Sequence, residues 1–513
     1  MQVDRRFLMK ATGSLALFSG LAPYSVWAKG LGAYPFTLGV ACGDPYPDGF
    51  VLWTRLAPRP LDEHGGMPMN VVPVKYEISE DDSFRTIAQS GETQARPELG
   101  HAVHVEAAGL KPGRRYWYRF HAAGEVSPVG TARTAPAGGA HVEHVRLAVA
   151  GCQHYEAGFY TAYQHMAQES DLDAVFHYGD YIYEGTGNPG KAGRIRAHIG
   201  DEIYTIDDYR RRYALYKSDP DLRAAHAAAA FVMSYDDHEV DNNWAADIDQ
   251  DGTPPEFFLL RRAAAMQAWY ENLPVRRSQL PVGGRLKMFR RLDYGDLLRI
   301  HVLDTRQYRT DQKCGENETK PCRAADEAGP VTLLGAEQEQ WLGEGLSTNH
   351  RWNLLAQQVM VMPMRYPITR KAGTTNMDSW SGYPEARQRL VGQITDRGLT
   401  NVVVATGDVH KHHAGNVPVR DDALDGPAVA TEFVCTSISS DGDGQPLPSD
   451  WRDMPTQNPH CKLFNSQRGY QVFDITHKAW RTDIKVLDRI TTRGGALSTL
   501  ARLHVDPDKP GLA

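Results

Sequence analysis

Apolar and polar residues alternate in short runs through the first part of the chain, at Phe36–Ala41, Phe50–Leu56, Val72–Ile78, Ala102–Ala107 and Arg115–His121. A period of two puts the apolar members on one face of an extended strand, and the Gly, Pro and Asp residues between the runs supply turns. Short strands at this spacing predict a β-sandwich over residues 35–134. A Pro/Gly/Ala linker follows at 135–144. From residue 145 to 513 the pattern changes: apolar runs of strand length alternate with helical periodicity at Asp207–Leu215, Asp221–Ala230, Glu256–Leu273, Gly335–Leu346 and Pro384–Arg397. That alternation predicts an α/β domain. The chain has no internal repeat and no low-complexity tract.

The stretch from Leu110 to Arg119, Leu-Lys-Pro-Gly-Arg-Arg-Tyr-Trp-Tyr-Arg, resembles a fibronectin type III signature. In that setting Tyr116 sends its hydroxyl back to the main chain as a tyrosine corner, a structural role. Composition narrows the class further. With 513 residues, 41% hydrophobic and 23% charged, the chain is long enough for two or three domains with a sizeable core. A net charge of −7 argues against a general nucleic-acid binder. It leaves a phosphorylated substrate open, because bound metal can supply local positive charge.

The N-terminus begins with Arg5-Arg6-Phe7-Leu8, continues in an apolar stretch from Ala11 to Trp27, and ends in Val26-Trp27-Ala28, a small-x-small cleavage pattern. Residues 1–28 resemble a twin-arginine signal peptide, which implies the twin-arginine export machinery as a partner and a periplasmic or secreted location. Gly13, Gly20 and Pro23 make the same stretch a poor spanning helix, so no stable membrane anchor is expected. Cys314 and Cys322 flank a polar stretch suited to a short loop disulfide in an oxidising compartment.

The chemistry sits where the apolar runs end. Residues 145–150 lead into Gly151-Cys152-Gln153-His154, and 174–178 into Gly179-Asp180-Tyr181-Ile182-Tyr183-Glu184. Residues 230–235 lead into Asp236-Asp237-His238-Glu239-Val240-Asp241-Asn242-Asn243, 298–303 into Asp304-Thr305-Arg306, and 402–405 into Thr406-Gly407-Asp408-Val409-His410. One acid at a strand end is usually a turn former. Several buried strands that all end in ligand-grade residues point to one crevice at the strand carboxyl ends. Hard oxygens mixed with imidazole, thiol and phenol suit a cluster of more than one metal.

These loops, with Leu303–Arg309, Leu355–Met360 and Asn465–Tyr470, resemble PhoD-type alkaline phosphatases and phosphodiesterases within the calcineurin-like metallophosphoesterases. The resemblance covers nearly the whole chain. It implies an α/β metallophosphoesterase with a β-sandwich core flanked by helices, preceded by an all-β Ig/fibronectin III-like domain. It also implies one Fe3+ and Ca2+, with two calcium ions. By position, Cys152, Asp180, Tyr183 and His410 would hold the iron, Asp180 would bridge, and Asp408 with a residue of the 236–243 loop would hold calcium. In that loop Asp237 stands where the superfamily has an asparagine, and Asn242 and Asn243 are the nearest amides; Asp237 and Asn242 are favoured. Thiolate and phenolate donors suit a ferric ion.

The bland readings are specific too. Cys152 is otherwise a buried thiol, Tyr183 and His238 core residues, and Arg306 a partner for Asp304 rather than a grip on phosphate. His412 and His413 read as solvent-facing or as support behind the ligands, Asp236 as a residue that orients its loop. The run Tyr209-Arg210-Arg211-Arg212-Tyr213 reads as a solvated helix face, with a basic rim around the site as the sharper option. The reaction expected is attack of metal-activated water on a phosphate mono- or diester, with His238 and Arg306 as catalytic groups and phosphate scavenging as the purpose. The rivals are a phosphodiesterase acting on phospholipid or cell-wall polymer, and a surface binding protein without activity. The complete ligand set argues against the last.

Overall fold

The computed structural model describes residues 31–187, 193–313, 331–366 and 375–512. The expected signal peptide at 1–28 and the Cys314–Cys322 pair lie outside the described residues.

Two large sheets pack face to face. In the first, Lys509–Leu512, Leu497–Asp506, Trp480–Leu487, Gly469–Thr476, His144–Ala150, Ala174–His177, Ala230–Met233, Val40–Tyr46, Gly49–Arg55 and Ala102–Glu106 are neighbours in that order. In the second the order is Arg290–Tyr294, Leu298–Val302, Trp352–Ala356, Val402–Thr406, Ala428–Val434, His412–Pro418 and Cys461–Asn465. Each has a parallel centre, 144–150, 174–177 and 230–233 in the first and 298–302, 352–356, 402–406 and 428–434 in the second. The strands at 144–150, 174–177, 230–233, 298–302 and 402–406 are the apolar runs of the sequence, and parallel strands are buried on both faces.

Alternation decides what each face meets. Leu354 and Val403 turn into the core shared by the two sheets, with Leu147, Val149, Phe176 and Val232 from the first sheet. Leu355 and Val404 turn outward, under Leu342 and Leu390 of helices Gly335–Gly345 and Pro384–Thr395. Between the sheets Trp352 meets Trp480 edge-on, with ring centroids 5.6 Å apart, and Phe433 meets Phe473 at the same separation. Burying each such side chain contributes about 1.5–3 kcal/mol. Helices Ile206–Lys217, Pro220–Ala228 and Pro255–Asn272 also fall within a few residues of the periodic runs. Thr205 and Asp219 cap the first two of these.

The N-terminal strands differ from expectation in one respect. They do form two layers. Val74, Ile78, Tyr118 and Phe120 of a small five-stranded sheet pack on Val40, Leu52 and Val105. The Tyr116 hydroxyl accepts from the Lys111 N–H at 3.0 Å, as a tyrosine corner does. Yet the 40–46, 49–55 and 102–106 strands belong to the large first sheet. Val40–Tyr46 runs parallel to Ala230–Met233, with Cys42 opposite Ala230 and Gly43 opposite Phe231. A β-carbon at Gly43 would collide with the Pro274 and Phe231 carbonyls, so the close approach requires glycine. The large sheet therefore draws strands from both sides of the 135–144 segment. The strand Ile87–Ala95 was not evident in the sequence because it is a largely polar edge.

Candidate metal centre

The residues at the site are aimed by their main chain. Cys152 (φ 50), Asp180 (φ 53), Asp408 (φ 66) and His410 (φ 54) all occupy the left-handed region. For residues with a side chain this costs about 1–2 kcal/mol each, and such strain gathers at functional sites. The loops are laced together: the Cys152 N–H donates to the Gly179 carbonyl at 3.0 Å and the Gln153 N–H to that of Asp180 at 3.0 Å. Gly151 and Gly407, each directly before a site residue, lie against the ring of Tyr178 with no room for a β-carbon. That ring is anchored by its hydroxyl on the Thr436 carbonyl at 2.9 Å.

Three overlapping groups result. Donor atoms of Cys152, Asp180 and His410 lie within 4.8 Å of one another, as do those of Asp180, Asp237 and His238, and those of Asp236, Asp237 and Asp408. Asp180 and Asp237 each belong to two groups. The Tyr183 hydroxyl is 2.9 Å from Asp180 Oδ2, 3.0 Å from His410 Nε2 and 2.7 Å from Ser440 Oγ. His410 Nδ1 is held by Asp441 at 2.9 Å, which leaves Nε2 facing the group. His238 Nδ1 is held by Glu184 at 2.7 Å.

The charges fit a site built for cations. Asp180 Oδ1 and Asp236 Oδ2 are buried without a hydrogen-bond partner among the described residues. Burial, then repulsion from Asp378, pushes Asp408 up to about 8. Burial and the nearby Asp180 carboxylate push both the Cys152 thiol and the Tyr183 phenol well above their usual values. Cations would satisfy the bare oxygens and draw the thiol and phenol protons off. The donor set therefore fits a metal cluster. Burial alone would lower the His238 pKa, but Glu184, Asp237 and Asp180 outweigh it and raise it well above the usual imidazole value.

Of the residues expected from the sequence, Cys152, Asp180, Tyr183 and His410 meet, with Asp237 and Asp408 alongside and His238 at the rim. Asn242 does not join them. Its amide donates to Gln250 at 2.6 Å, and only its main-chain N–H turns inward, to Glu184 at 2.9 Å. Asn243 sends its main-chain N–H to Asp237 at 2.8 Å. The tight turn after Asp237 directs the Asn242 side chain outward.

Arg306 is fully buried beneath the cluster. Its guanidinium is engaged by Asp236 at 2.5 Å, by Asp378 at 2.9 and 2.8 Å and by Asp408 at 3.3 Å, so it stands behind the carboxylates rather than at their mouth. Its expected partner Asp304 accepts only its main-chain N–H, at 3.0 Å.

His412 and His413 are buried, not solvent-facing; His413 stacks on Trp451 with centroids 5.7 Å apart. Arg212 is buried too, donating to the Gly185 carbonyl at 3.0 Å, so this one member of the basic run braces the 183–185 loop from behind.

Sequence reasoning passed over Glu184, Glu239, Asp378, Ser440 and Asp441. Glu239 accepts from the N–H groups of Asp180, Tyr181 and Asp236 at 3.1, 2.6 and 2.8 Å and so joins two loops. Ser440 and Asp441 follow the buried strand Ala428–Val434, whose end was a legible signal of the same kind as the others.

A two-sheet sandwich with helices outside, and overlapping acid and histidine groups at its strand ends, defines the metallophosphoesterase class. The family description "PhoD-like phosphatase" matches residues 147–484, and "PhoD-like phosphatase, N-terminal domain" matches 22–136. Alkaline phosphatase D of Bacillus subtilis (strain 168) is 46% identical over 525 residues, covering 99% of this chain and 88% of that protein. A solved structure of PhoD, 46% identical, superposes with a TM-score of 0.90 and covers 96% of this chain and 93% of its own. A purple acid phosphatase from yellow lupin (Lupinus luteus) seeds shares the fold at 11% identity, with a TM-score of 0.55 and 91% and 74% coverage. The chain belongs to the PhoD-like phosphatase family and is a phosphoester hydrolase.

Proposed function

We propose that the chain is an exported phosphatase that releases phosphate from mono- and diesters at a cluster of one ferric and two calcium ions, for phosphate scavenging. The observation that carries this reading is Asp180: it is shared between two donor groups and has one bare, buried oxygen, as a bridging carboxylate would. Cys152, Asp180, Tyr183 and His410 would hold the iron, the thiolate and phenolate favouring a ferric charge. Asp180, Asp237 and Asp408 would hold the calcium side, where oxygen donors dominate. Bound there, the metals supply a Lewis acid for the phosphate oxygens and an activated water.

The chain's own groups do the remainder. His238, fixed at Nδ1 by Glu184, has Nε2 left to face a phosphoryl or leaving oxygen, and an imidazole held this way suits either contact. Arg306 holds Asp236 and Asp408 in place and offsets part of the burial that opposes their charge. Export rests on the Arg5-Arg6-Phe7-Leu8 leader. Among the described residues no helix is long and apolar enough to cross a membrane.

The test is release of p-nitrophenol from p-nitrophenyl phosphate and its bis ester at alkaline pH, with and without chelator, beside metal analysis of the protein. Turnover that chelation abolishes, with iron and calcium both present, is the expected result. Full turnover of metal-free protein would overturn the proposal.

A further inference from the structure

A second histidine–carboxylate group lies at the other end of the strand that leads into Cys152. His141 stands just before His144–Ala150, and Cys152 just after it, about 20 Å away along an extended strand of that length. His141 Nδ1 lies 2.9 Å from Asp296 Oδ2, and His477 Nε2 lies 3.3 Å from Asp296 Oδ1. The three donor atoms fall within 4.8 Å of one another, and the two imidazoles stack with centroids 4.6 Å apart.

We propose that His141, Asp296 and His477 form a binding site for a divalent transition metal of the Zn2+ class, separate from the catalytic cluster. Two features distinguish it from a chance surface contact. First, His477 Nε2 is buried and has no hydrogen-bond partner; it approaches Asp296 outside hydrogen-bonding geometry. A buried ring nitrogen aimed at a carboxylate and a second imidazole is what a shared ion would satisfy. Second, the ligands have the outer support that metal-binding histidines and acids use. His141 Nε2 faces Glu143 Oε1 at 3.2 Å, and Asp296 Oδ1 accepts from the Val142 N–H at 3.0 Å.

The backbone under the site is fixed as well. Gly295 has φ +57, and a β-carbon there would strike the Ala140 carbonyl, so the 294–298 turn lies flush against the linker. The Asp296 N–H donates to that carbonyl at 2.9 Å. Arg351 ties the remaining pieces together: its N–H donates to the Asp296 carbonyl at 2.9 Å and its Nε to that of His477 at 2.8 Å. Two imidazoles and one carboxylate suit zinc and its neighbouring divalent transition metals, with solvent completing an open shell. The site joins the 135–144 linker to a turn of each large sheet. Its ion would clamp three segments distant in sequence and leave phosphate chemistry untouched.

Full-length protein carrying its own catalytic metals is dialysed against Zn2+, and bound zinc is counted for the parent and for His141→Gln and His477→Gln. The parent is expected to hold about one more zinc per chain than either variant and to show a zinc-dependent rise in Tm that both lose, with p-nitrophenyl phosphate turnover unchanged in both variants without added zinc. Equal uptake by parent and variants overturns the proposal. Should His477→Gln fail to fold, the exposed His141→Gln and anomalous scattering at the zinc edge from crystals of the unaltered protein decide: no zinc peak among the three side chains also overturns it.

Discussion

Arg306 donates to both carboxylate oxygens of Asp378, at 2.9 and 2.8 Å, in a place where neither side chain has appreciable contact with water. The same guanidinium meets Asp236 and Asp408, so one cation balances several acids beneath the site. Removing it leaves buried carboxylates unpaired, which costs about 3–5 kcal/mol. Arg306→Ala should therefore lower the unfolding free energy by that amount in denaturant titrations. A loss below about 1 kcal/mol would show that the pairing does not hold the loops.

Tyr183 is predicted to give the purified protein a visible charge-transfer band through its phenolate, together with Cys152. Tyr183→Phe keeps the ring that packs at a tilt against His238, with centroids 4.1 Å apart, and removes only the oxygen. The band should shift or disappear while the fold, read by circular dichroism, stays intact. An unchanged spectrum with unchanged iron content would remove Tyr183 from the ligand set.

Glu184 touches no candidate cation site directly but holds His238 Nδ1 at 2.7 Å and the Asn242 N–H at 2.9 Å. Outer partners of this kind typically cost about 10–100-fold when replaced. Glu184→Gln should lower kcat by that range on phenyl phosphate, and by less on p-nitrophenyl phosphate, whose leaving oxygen needs less protonation. Equal losses on both esters would argue that His238 does not protonate the leaving group.

Tyr178 is packed against Gly407 and Gly151. Gly407→Ala should cost about 1–3 kcal/mol through overpacking and displace Asp408 with it. Thermal unfolding measures the first effect and bound calcium the second. Retained calcium in a destabilised variant would separate the packing role from the positioning role.

Glu432 supplies a pH dependence away from the metals. It is buried, accepts from the N–H groups of Val361 and Met362 at 2.8 and 2.6 Å and from the Thr406 hydroxyl at 2.8 Å, and burial raises its pKa from 4.5 to about 7. The folded state therefore binds the proton more tightly than the unfolded chain. Stability from this group is fullest below pH 4.5, falls as pH rises toward 7 and is level above, by roughly 3 kcal/mol over the window. Glu432→Gln has no such proton, so the stability difference between variant and parent should shift in the variant's favour from pH 5 to pH 8. A pH-independent difference would place the Glu432 pKa near its ordinary value.

Most of the centre could be read from the sequence because each contributing strand is a continuous apolar run that stops at a ligand-grade residue, as at Ala150 before Cys152 and Thr406 before Asp408. Direction was harder to read than position. Asn242 has the right chemistry in the right loop, but a turn points it at Gln250. Arg306 has the right charge, but packing sets it under the acids. Asp378 follows a polar stretch of sequence rather than an apolar run, so no pattern announced it. The long-range pairing of Val40–Tyr46 with Ala230–Met233 left no local trace, since the first run reads as one strand of a separate sandwich and the second as a buried strand of the α/β region.

That pairing also governs the order in which the molecule can be built. The strand that opens the fold aligns Cys42 with Ala230, and the far edge of the same sheet is closed by Lys509–Leu512. A chain emerging from the ribosome thus displays Val40–Tyr46, apolar and unpaired along one side, until its neighbour has been synthesised. Unpaired apolar edges invite aggregation, and pairings between distant segments form slowly. Early protection of residues 40–46 during synthesis is thus a requirement written into the sheet order.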